Sequence, residues 1–187
     1  MPKNMIVLAS ASPRRQELLK LITEDFKVVP ADIDETLPEH ITINSAAEYL
    51  SVKKALAVAE DFLHDTVIGC DTIVICDNEI LGKPSNEDDA RRMLIKLSGR
   101  SHDVFTGVCI AKEGMTLSFT EATTVTFFEL PETAIIDYIK SGSPLDKAGA
   151  YGIQDDFIRV YTEGIDGSFD SVMGLPTARL KKMLSKI

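Results

Sequence analysis

Hydrophobic residues recur along this chain in two patterns, as short continuous runs and as stretches in which they return every three or four positions. Continuous runs rich in β-branched residues predict buried strands, and the wider spacing predicts helices that pack one face against a core. The predicted strands are 5–9, 26–30, 66–76, 79–81, 103–111, 116–128 and 157–162. The predicted helices are those starting at Ser12 and Ser85, together with 44–63, 131–141 and 176–187.

Strands and helices interleave in this prediction, but two hairpins break strict alternation. Asp77 and Asn78 offer a turn into 79–81, and residues 112–114 join two long strands. Such hairpins add antiparallel pairs to a sheet that is otherwise built by crossovers. We therefore predict an α/β fold in which an elongated mixed β-sheet is flanked by helices, with one domain over residues 1–187.

Ser85 is predicted to cap the helix that starts there, with Asp88 at the third helical position.

Composition limits the classes of function. The chain has 187 residues, of which 44% are hydrophobic and 26% charged, as in ordinary globular proteins. Its formal net charge of −9 argues against extended binding to DNA or RNA, which requires a basic surface. No apolar run approaches the roughly 20 residues that span a bilayer, and the first residues lack a signal-peptide pattern. We expect a cytoplasmic protein with no membrane partner.

Cysteine and histidine show no metal-ligand spacing. The cysteines are odd in number and lie in apolar runs, so we expect reduced thiols in the core. They are Cys70, Cys76 and Cys109. The histidines are far apart in polar surroundings, and we expect each at the surface. They are His40, His64 and His102.

The segment Ser10 to Arg15 joins the first strand to the first helix. Ser12 suits the N-cap position and Pro13 the first helical position. Arg14 and Arg15 then fall in the first turn, where the helix dipole disfavours cations unless an anion binds among them. The segment is a candidate phosphate site; a solvated helix start with two exposed arginines is the alternative.

Two acidic residues are candidates for chemistry. Asp71 lies inside the apolar run 66–76, where an ionised carboxylate is costly unless it is paired or bound to a metal. An Asp that only bonds nearby amides at a strand bend is the alternative. Glu35, in the polar stretch 31–43, is by itself typical of a solvated surface acid. Together the two carboxylates offer the oxygen ligands that Mg²⁺ prefers.

Three lysines and one glutamine are candidate contacts to a ligand. Lys53 and Lys54 lie on a largely apolar helix, so at least one is expected to contact a specific group, and spacing does not decide which. Lys83, in a Gly-Lys-Pro turn, is a phosphate contact or an ordinary turn lysine. Gln154, at the end of the glycine-rich segment 142–154, has the donor and acceptor needed to read a base edge. A purely structural loop is the alternative there.

Seven motifs in the chain resemble those of the Maf family of nucleoside triphosphate pyrophosphatases, in the family's order. They are 8–15 with 18–19, 69–74, 81–84, 97–100, 106–108, 145–154 and 174–176. Each motif is weak alone, but together they cover nearly the whole chain and make the resemblance specific. The resemblance implies a fold like that of the inosine triphosphate pyrophosphatases.

The resemblance also implies an activity, the metal-dependent hydrolysis of dTTP or UTP, and of related modified pyrimidine nucleotides, to the nucleoside monophosphate and pyrophosphate. The implied metal is divalent, with Mg²⁺ favoured over Mn²⁺ or Co²⁺. By their places in the motifs, the implied roles are catalytic base for Asp71, metal ligands for Glu35 and Asp71, substrate contacts for Ser10, Arg14, Arg15, Lys54 and Lys83, and base specificity for Arg14, Thr72 and Gln154.

Two residues depart from that pattern. Asp155 stands where the dTTP/UTP branch usually has Gly, which leaves the loop geometry beside Gln154 open. Cys70 replaces the usual Ala, and we expect that change to affect only packing.

A different class of function is also compatible with the resemblance. It is a nucleotide-binding regulator of cell division and septum formation without turnover, which needs the arginines and Lys83 but not Asp71. The presence of both Glu35 and Asp71 favours the enzyme. The sequence leaves the oligomeric state open, a homodimer included.

Overall fold

The computed structural model describes residues 4–187. Its strands are β1 Ile6–Leu8, β2 Phe26–Val28, β3 Thr66–Cys76, β4 Glu79–Leu81, β5 Ser101–Lys112, β6 Met115–Phe127 and β7 Thr162–Asp166. Its helices are α1 Pro13–Lys20, α2 Ala46–Ala59, α3 Glu87–Leu97, α4 Glu132–Lys140, α5 Asp156–Tyr161, α6 Phe169–Met173 and α7 Thr177–Leu184. Within this described range, every helix is too short or too polar to cross a lipid bilayer.

The seven strands form one mixed sheet in the order β2-β1-β3-β5-β6-β7, with β4 paired to β3. The first strand runs parallel to both of its neighbours, β2 and β3. The β3–β4 and β6–β7 pairs are antiparallel. The predicted α/β fold with a mixed sheet and flanking helices is therefore confirmed.

The chain divides into two compact units. The first contains the chain up to Asp71, Thr106–Glu121 and Gly174–Ile187, and the second contains Thr72–Phe105 and Ala122–Met173. Three of the four boundaries fall inside β3, β5 and β6, which are continuous strands, and the fourth falls at the end of α6. The single domain over 1–187 stays a prediction.

Helix α2 lies very close to the sheet in the first unit, and two glycines make this approach possible. A Cβ added at Gly69 would lie 2.2 Å from the carbonyl oxygen of Ser51, and one at Gly107 would lie 2.2 Å from that of Ala47. A glycine inside a strand often marks such an approach of another backbone. Beside this contact lies a small core of Val7, Ala9, Ala55, Val58, Val67, Cys109 and Ala111.

The second unit has its own hydrophobic core, and His102 packs within it. This side chain is only 3% exposed, so its prediction as a surface residue is wrong. Its polar neighbours on β5 are exposed because alternate residues of a strand face opposite sides, and His102 faces inward. Its Nε2 lies 2.7 Å from the hydroxyl of Tyr151, and the rings of Phe127 and Tyr151 pack against it edge-on. His40 and His64 are exposed, and all three cysteines are buried and free, as predicted.

The predicted strand 157–162 is wrong, because this segment forms α5 and the strand β7 begins at Thr162. Aromatic residues favour strands by composition, but Phe157 and Tyr161 are four residues apart and so share one helix face. Their ring centroids lie 5.1 Å apart, and Phe157 also stacks on Tyr138 at 4.7 Å. Tertiary packing of aromatic rings thus outweighs the strand propensity of the segment.

Two helix boundaries also differ from the predictions. Helix α3 is capped by Asn86 and not by Ser85: the Asn86 side chain accepts a hydrogen bond of 2.9 Å from the backbone N–H of Asp89. The backbone N–H of Ser85 donates instead to the carboxylate of Asp89, at 3.0 Å. Helix α2 ends at Ala59, well before residue 63.

Candidate functional site

The turn between β1 and α1 has the predicted form. Ser12 is the N-cap residue and Pro13 occupies the first helical position, although within the described residues the Ser12 hydroxyl makes no capping hydrogen bond. Ser10 performs a related task, since its hydroxyl oxygen accepts from the backbone N–H of Ser12 at 3.3 Å. The same oxygen accepts from Nη1 of Arg15 at 3.1 Å. Ser10 and Arg15 therefore hold the strand-to-helix turn in one shape.

The guanidinium of Arg15 also connects distant parts of the first unit. Its Nη1 donates to the carbonyl oxygen of Cys70 at 3.0 Å, and its Nε donates to the carbonyl oxygen of Gly174 at 3.0 Å. Arg15 thus positions β3 immediately before Asp71. The adjacent Arg14 is partly exposed at the start of α1. Whether either arginine contacts phosphate stays a prediction.

The ammonium group of Lys54 joins the two predicted acidic residues. Its Nζ lies 2.6 Å from Oδ1 of Asp71 and 2.8 Å from Oε1 of Glu35. The side chains of Lys54 and Asp71 are only 12% and 10% exposed, whereas that of Glu35 is 60% exposed. The preceding residue of α2, Lys53, donates to the backbone oxygen of Asp34 at 2.6 Å. Two consecutive lysines of α2 thus position the loop that carries Glu35.

Asp71 has a pKa that its surroundings shift. Burial raises the pKa of Asp71 above its usual range, while the charges of Lys54 and Arg15 act in the opposite direction and Glu35 raises it further. Burial also raises the pKa of the neighbouring Cys70 thiol to about 11, which keeps it neutral at physiological pH. A buried, paired carboxylate with a raised pKa is a candidate for a functional site.

The donor set fits a divalent cation. Two carboxylates from different elements converge on one positive group, and hard oxygen ligands are those preferred by Mg²⁺. No group of three or more His, Cys, Asp or Glu side chains poised to hold a metal is found among residues 4–187. A cation held by Glu35 and Asp71 would therefore need further ligands from water or from a substrate.

The other predicted residues belong to the second unit. Lys83 is exposed in the turn after β4, and Thr72 is partly buried on β3. Gln154 is also partly buried, and its Nε2 donates to Oδ1 of Asp155 at 3.2 Å. The structure thus brings together Ser10, Arg15, Glu35, Lys54 and Asp71 within the first unit. The roles of Thr72, Lys83 and Gln154 stay predictions.

Sequence reasoning missed the interactions around Asp155. Its carboxylate accepts hydrogen bonds from the hydroxyls of Tyr138 and Ser143, in addition to that from Gln154. No local pattern indicates such a cluster, because its members come from a helix, a 3-10 turn and a loop. The approach of α2 to the sheet was also missed, although a glycine at 69 in an otherwise β-branched strand was a usable signal.

Comparison with known proteins gives the family and supports the fold. The profile of the family described as Maf-like protein matches residues 5–187. Proteins described as dTTP/UTP pyrophosphatase from Bacillus cereus (strain B4264) and Bacillus mycoides (strain KBAB4) are each 46% identical over 181 residues, covering 97% of this chain and 94% of theirs. The structure of a HAM1 protein from Coxiella burnetii aligns with a TM-score of 0.58 and 16% identity, over 99% of this chain and 100% of that one. The last likeness concerns the fold alone.

Proposed function

We propose that this chain, which belongs to the Maf family, hydrolyses dTTP and UTP to the nucleoside monophosphate and pyrophosphate. The family membership follows from the match over residues 5–187 and from relatives, described as dTTP/UTP pyrophosphatase, that are 46% identical over 97% of the chain. The observation that carries the proposal is the convergence of Glu35 and Asp71 on the ammonium of Lys54.

A divalent cation is part of the proposal. Glu35 and Asp71 would hold it, and Mg²⁺ is the ion that their oxygen donors favour. When bound, the cation would neutralise charge on the phosphate oxygens. Lys54 lies against both carboxylates, so its ammonium already supplies positive charge at this place.

The residues of the chain have separable tasks in this reaction. Asp71, with its raised pKa, accepts a proton from the water that attacks the α-phosphorus. The bond from that phosphorus to the bridging oxygen then breaks, and pyrophosphate leaves. Arg14 and Lys83 offer positive charge to the phosphates, whose charge increases in the transition state. Arg15 and Ser10 keep the β1–α1 turn in shape for this contact.

The test is product analysis with the purified protein. UTP or dTTP together with Mg²⁺ should give the nucleoside monophosphate and pyrophosphate in equal amounts, and omission of the metal with a chelator present should stop the reaction. Orthophosphate as first product would place the cleavage at another bond and contradict the mechanism. Tight nucleotide binding without any turnover would favour the regulator over the enzyme.

A further inference from the structure

Asp155 is the centre of a hydrogen-bond cluster in the second unit. Its Oδ2 accepts from the hydroxyl of Tyr138 at 2.6 Å and from that of Ser143 at 2.7 Å. Its Oδ1 accepts from Nε2 of Gln154 at 3.2 Å. The carboxylate thus receives donors from α4, from the 3-10 turn Ser143–Asp146 and from the residue that precedes it. Three donors on one carboxylate fix its position more firmly than a surface acid requires.

The donors are themselves held in place. The Tyr138 hydroxyl accepts from the backbone N–H of Gly152 at 3.1 Å, so it has a defined donor role toward Asp155. Burial raises the pKa of Tyr138 and the hydrogen bond to Asp155 raises it further, which keeps the phenol protonated. The hydroxyl of Ser143 lies 3.1 Å from Nζ of Lys147, a buried lysine that also pairs with Asp146 at 2.8 Å.

The carboxylate has a direct consequence for the amide of Gln154. An amide presents a donor on one side and an acceptor on the other, and its two orientations differ by half a turn. An ionised carboxylate only accepts hydrogen bonds, so only the NH₂ group of Gln154 can face Asp155. The pair also packs on backbone, since a Cβ at Gly152 would lie 2.7 Å from Nε2 of Gln154 and 2.9 Å from Oδ1 of Asp155. The carbonyl oxygen Oε1 of Gln154 therefore faces away from Asp155.

We propose that Asp155 determines base specificity as a positioning residue, by holding the Gln154 amide so that its carbonyl oxygen accepts the N3–H of uracil or thymine. This inference rests on the proposed function. Cytosine has an unprotonated nitrogen at the same ring position, which is an acceptor, so it faces the carbonyl oxygen without a hydrogen bond. The site then rejects CTP because two acceptors meet, and not because CTP differs in size.

The principal experiment compares kcat/KM for UTP and CTP in the wild type and in Asp155→Asn. The asparagine keeps the shape but carries its own NH₂, which can face Oε1 of Gln154 and turn the amide around. We expect the UTP-to-CTP ratio to fall at least about tenfold, the scale of one mispaired hydrogen bond. The matched control is Asp156→Asn, one residue further along. Asp156 is exposed, and its ion pair within residues 4–187 is with Arg159 of the same helix at 3.3 Å, so the ratio should stay unchanged.

Two further variants separate positioning from loop stability. Gln154→Met should also lower the ratio, but by less, because methionine removes the acceptor without offering cytosine a donor. Adding Asp155→Asn to it should change the ratio no further, because Asp155 acts through the amide. If Asp155 only stabilised the loop, Asp155→Asn would lower the rates with UTP and CTP together and leave their ratio intact, which overturns the inference. Should Asp155→Asn not fold, an unchanged ratio in Gln154→Met overturns it equally.

A nuclear magnetic resonance measurement gives a readout that does not depend on activity. In the wild type, the side-chain NH₂ of Gln154 should exchange with solvent more slowly than those of exposed glutamines. Asp155→Asn should remove that protection and Asp156→Asn should not. If the wild type releases pyrophosphate but the UTP-to-CTP ratio is the same in Asp155→Asn and Gln154→Met as in the wild type, the inference alone is refuted. A wild type that cleaves neither UTP nor dTTP refutes the proposed function, and the inference with it.

Discussion

Asp71 is a carboxyl residue in the interior of β3 with only 7% of its surface exposed, a position where an ionised side chain costs free energy unless it is paired. Replacing it by Asn keeps the shape and removes the charge that accepts a proton. Turnover should fall by about 10² or more, the scale of a lost general base. Nucleotide binding should weaken much less. Pyrophosphate release under single-turnover conditions and binding of a non-hydrolysable analogue measure the two effects.

The control for this change is Asp61→Asn, at an exposed position just after α2 in the same unit. It removes one negative charge without touching the cluster, and turnover should stay at the wild-type level. Near-normal turnover in folded Asp71→Asn would show that this carboxylate serves structure only.

His102 gives a prediction for stability at low pH. Burial lowers its pKa from 6.5 to about 4, and its Nδ1 has no hydrogen-bond partner among residues 4–187. Between these pKa values the unfolded chain binds a proton that the folded chain does not, so stability falls as the pH falls. Between pH 7.5 and 5 the wild type should lose about 2 kcal/mol more than His102→Phe does. Urea unfolding at both pH values measures the difference.

His64→Gln is the matched control, because His64 is exposed. Its loss of stability between the two pH values should equal that of the wild type. A His102→Phe protein with the wild-type pH dependence would mean that His102 titrates normally in the folded state.

At the scale of elements, the contact between α2 and the sheet depends on the missing side chains at Gly69 and Gly107. In Gly107→Ala the new methyl group would lie 2.2 Å from the carbonyl oxygen of Ala47, so the helix must move. Overpacking of this kind costs roughly 1–3 kcal/mol. We expect that loss in the free energy of unfolding, and also a lower kcat in the protein that remains folded, since α2 carries Lys54.

Gly164→Ala is the comparison, because a Cβ there meets no atom within 4 Å among the described residues. Both stability and kcat should stay close to those of the wild type. A folded Gly107→Ala protein with unchanged kcat would show that the position of α2 does not affect the cluster around Lys54.

Most elements could be predicted from the sequence, but α5 and α6 were not. β3 was predicted with its observed bounds, Thr66–Cys76, because a continuous β-branched run between turn residues has few other interpretations. α5 was mistaken for a strand because the contact of Phe157 with Tyr138 is not visible in a local pattern. The pairing of Lys54 with Glu35 and Asp71 likewise could not be predicted from the spacing of residues along the helix, since it depends on how closely α2 approaches the sheet.

At the scale of the whole chain, the C-terminal segment contributes to the first unit's core. Leu175 and Leu180 are fully buried, and burying two leucines stabilises a protein by roughly 3–6 kcal/mol. Since whole domains are stable by only about 5–15 kcal/mol, a chain that ends at Met173 should lose its cooperative unfolding transition. Circular dichroism during heating measures this loss.

A chain that ends at Leu184 is the control, because the residues removed are mostly exposed. It loses two hydrogen bonds within the last turn, from the hydroxyl of Ser185 to the carbonyl oxygen of Lys182 at 2.9 Å and from the backbone N–H of Lys186 to that of Met183 at 3.0 Å. It also loses the longer-range bond from Nζ of Lys112 to the carbonyl oxygen of Ile187 at 3.2 Å. Its melting curve should resemble that of the full chain. A cooperative transition in the chain ending at Met173 would contradict the assigned importance of the buried leucines.

The hydrogen bond from Arg15 to Gly174 has a consequence for the order of events during synthesis. It joins residues 159 positions apart in the chain, so its acceptor is made long after its donor. While the ribosome is still adding residues, β1 and the start of α1 have already left it, but the hydrogen bond from Arg15 to Gly174 cannot yet form. The ribosome adds about 5–20 residues per second, so many seconds pass between the synthesis of Arg15 and that of Gly174. The nascent protein must therefore pass through a period in which β1 and α1 are already made but Arg15 has no acceptor at Gly174.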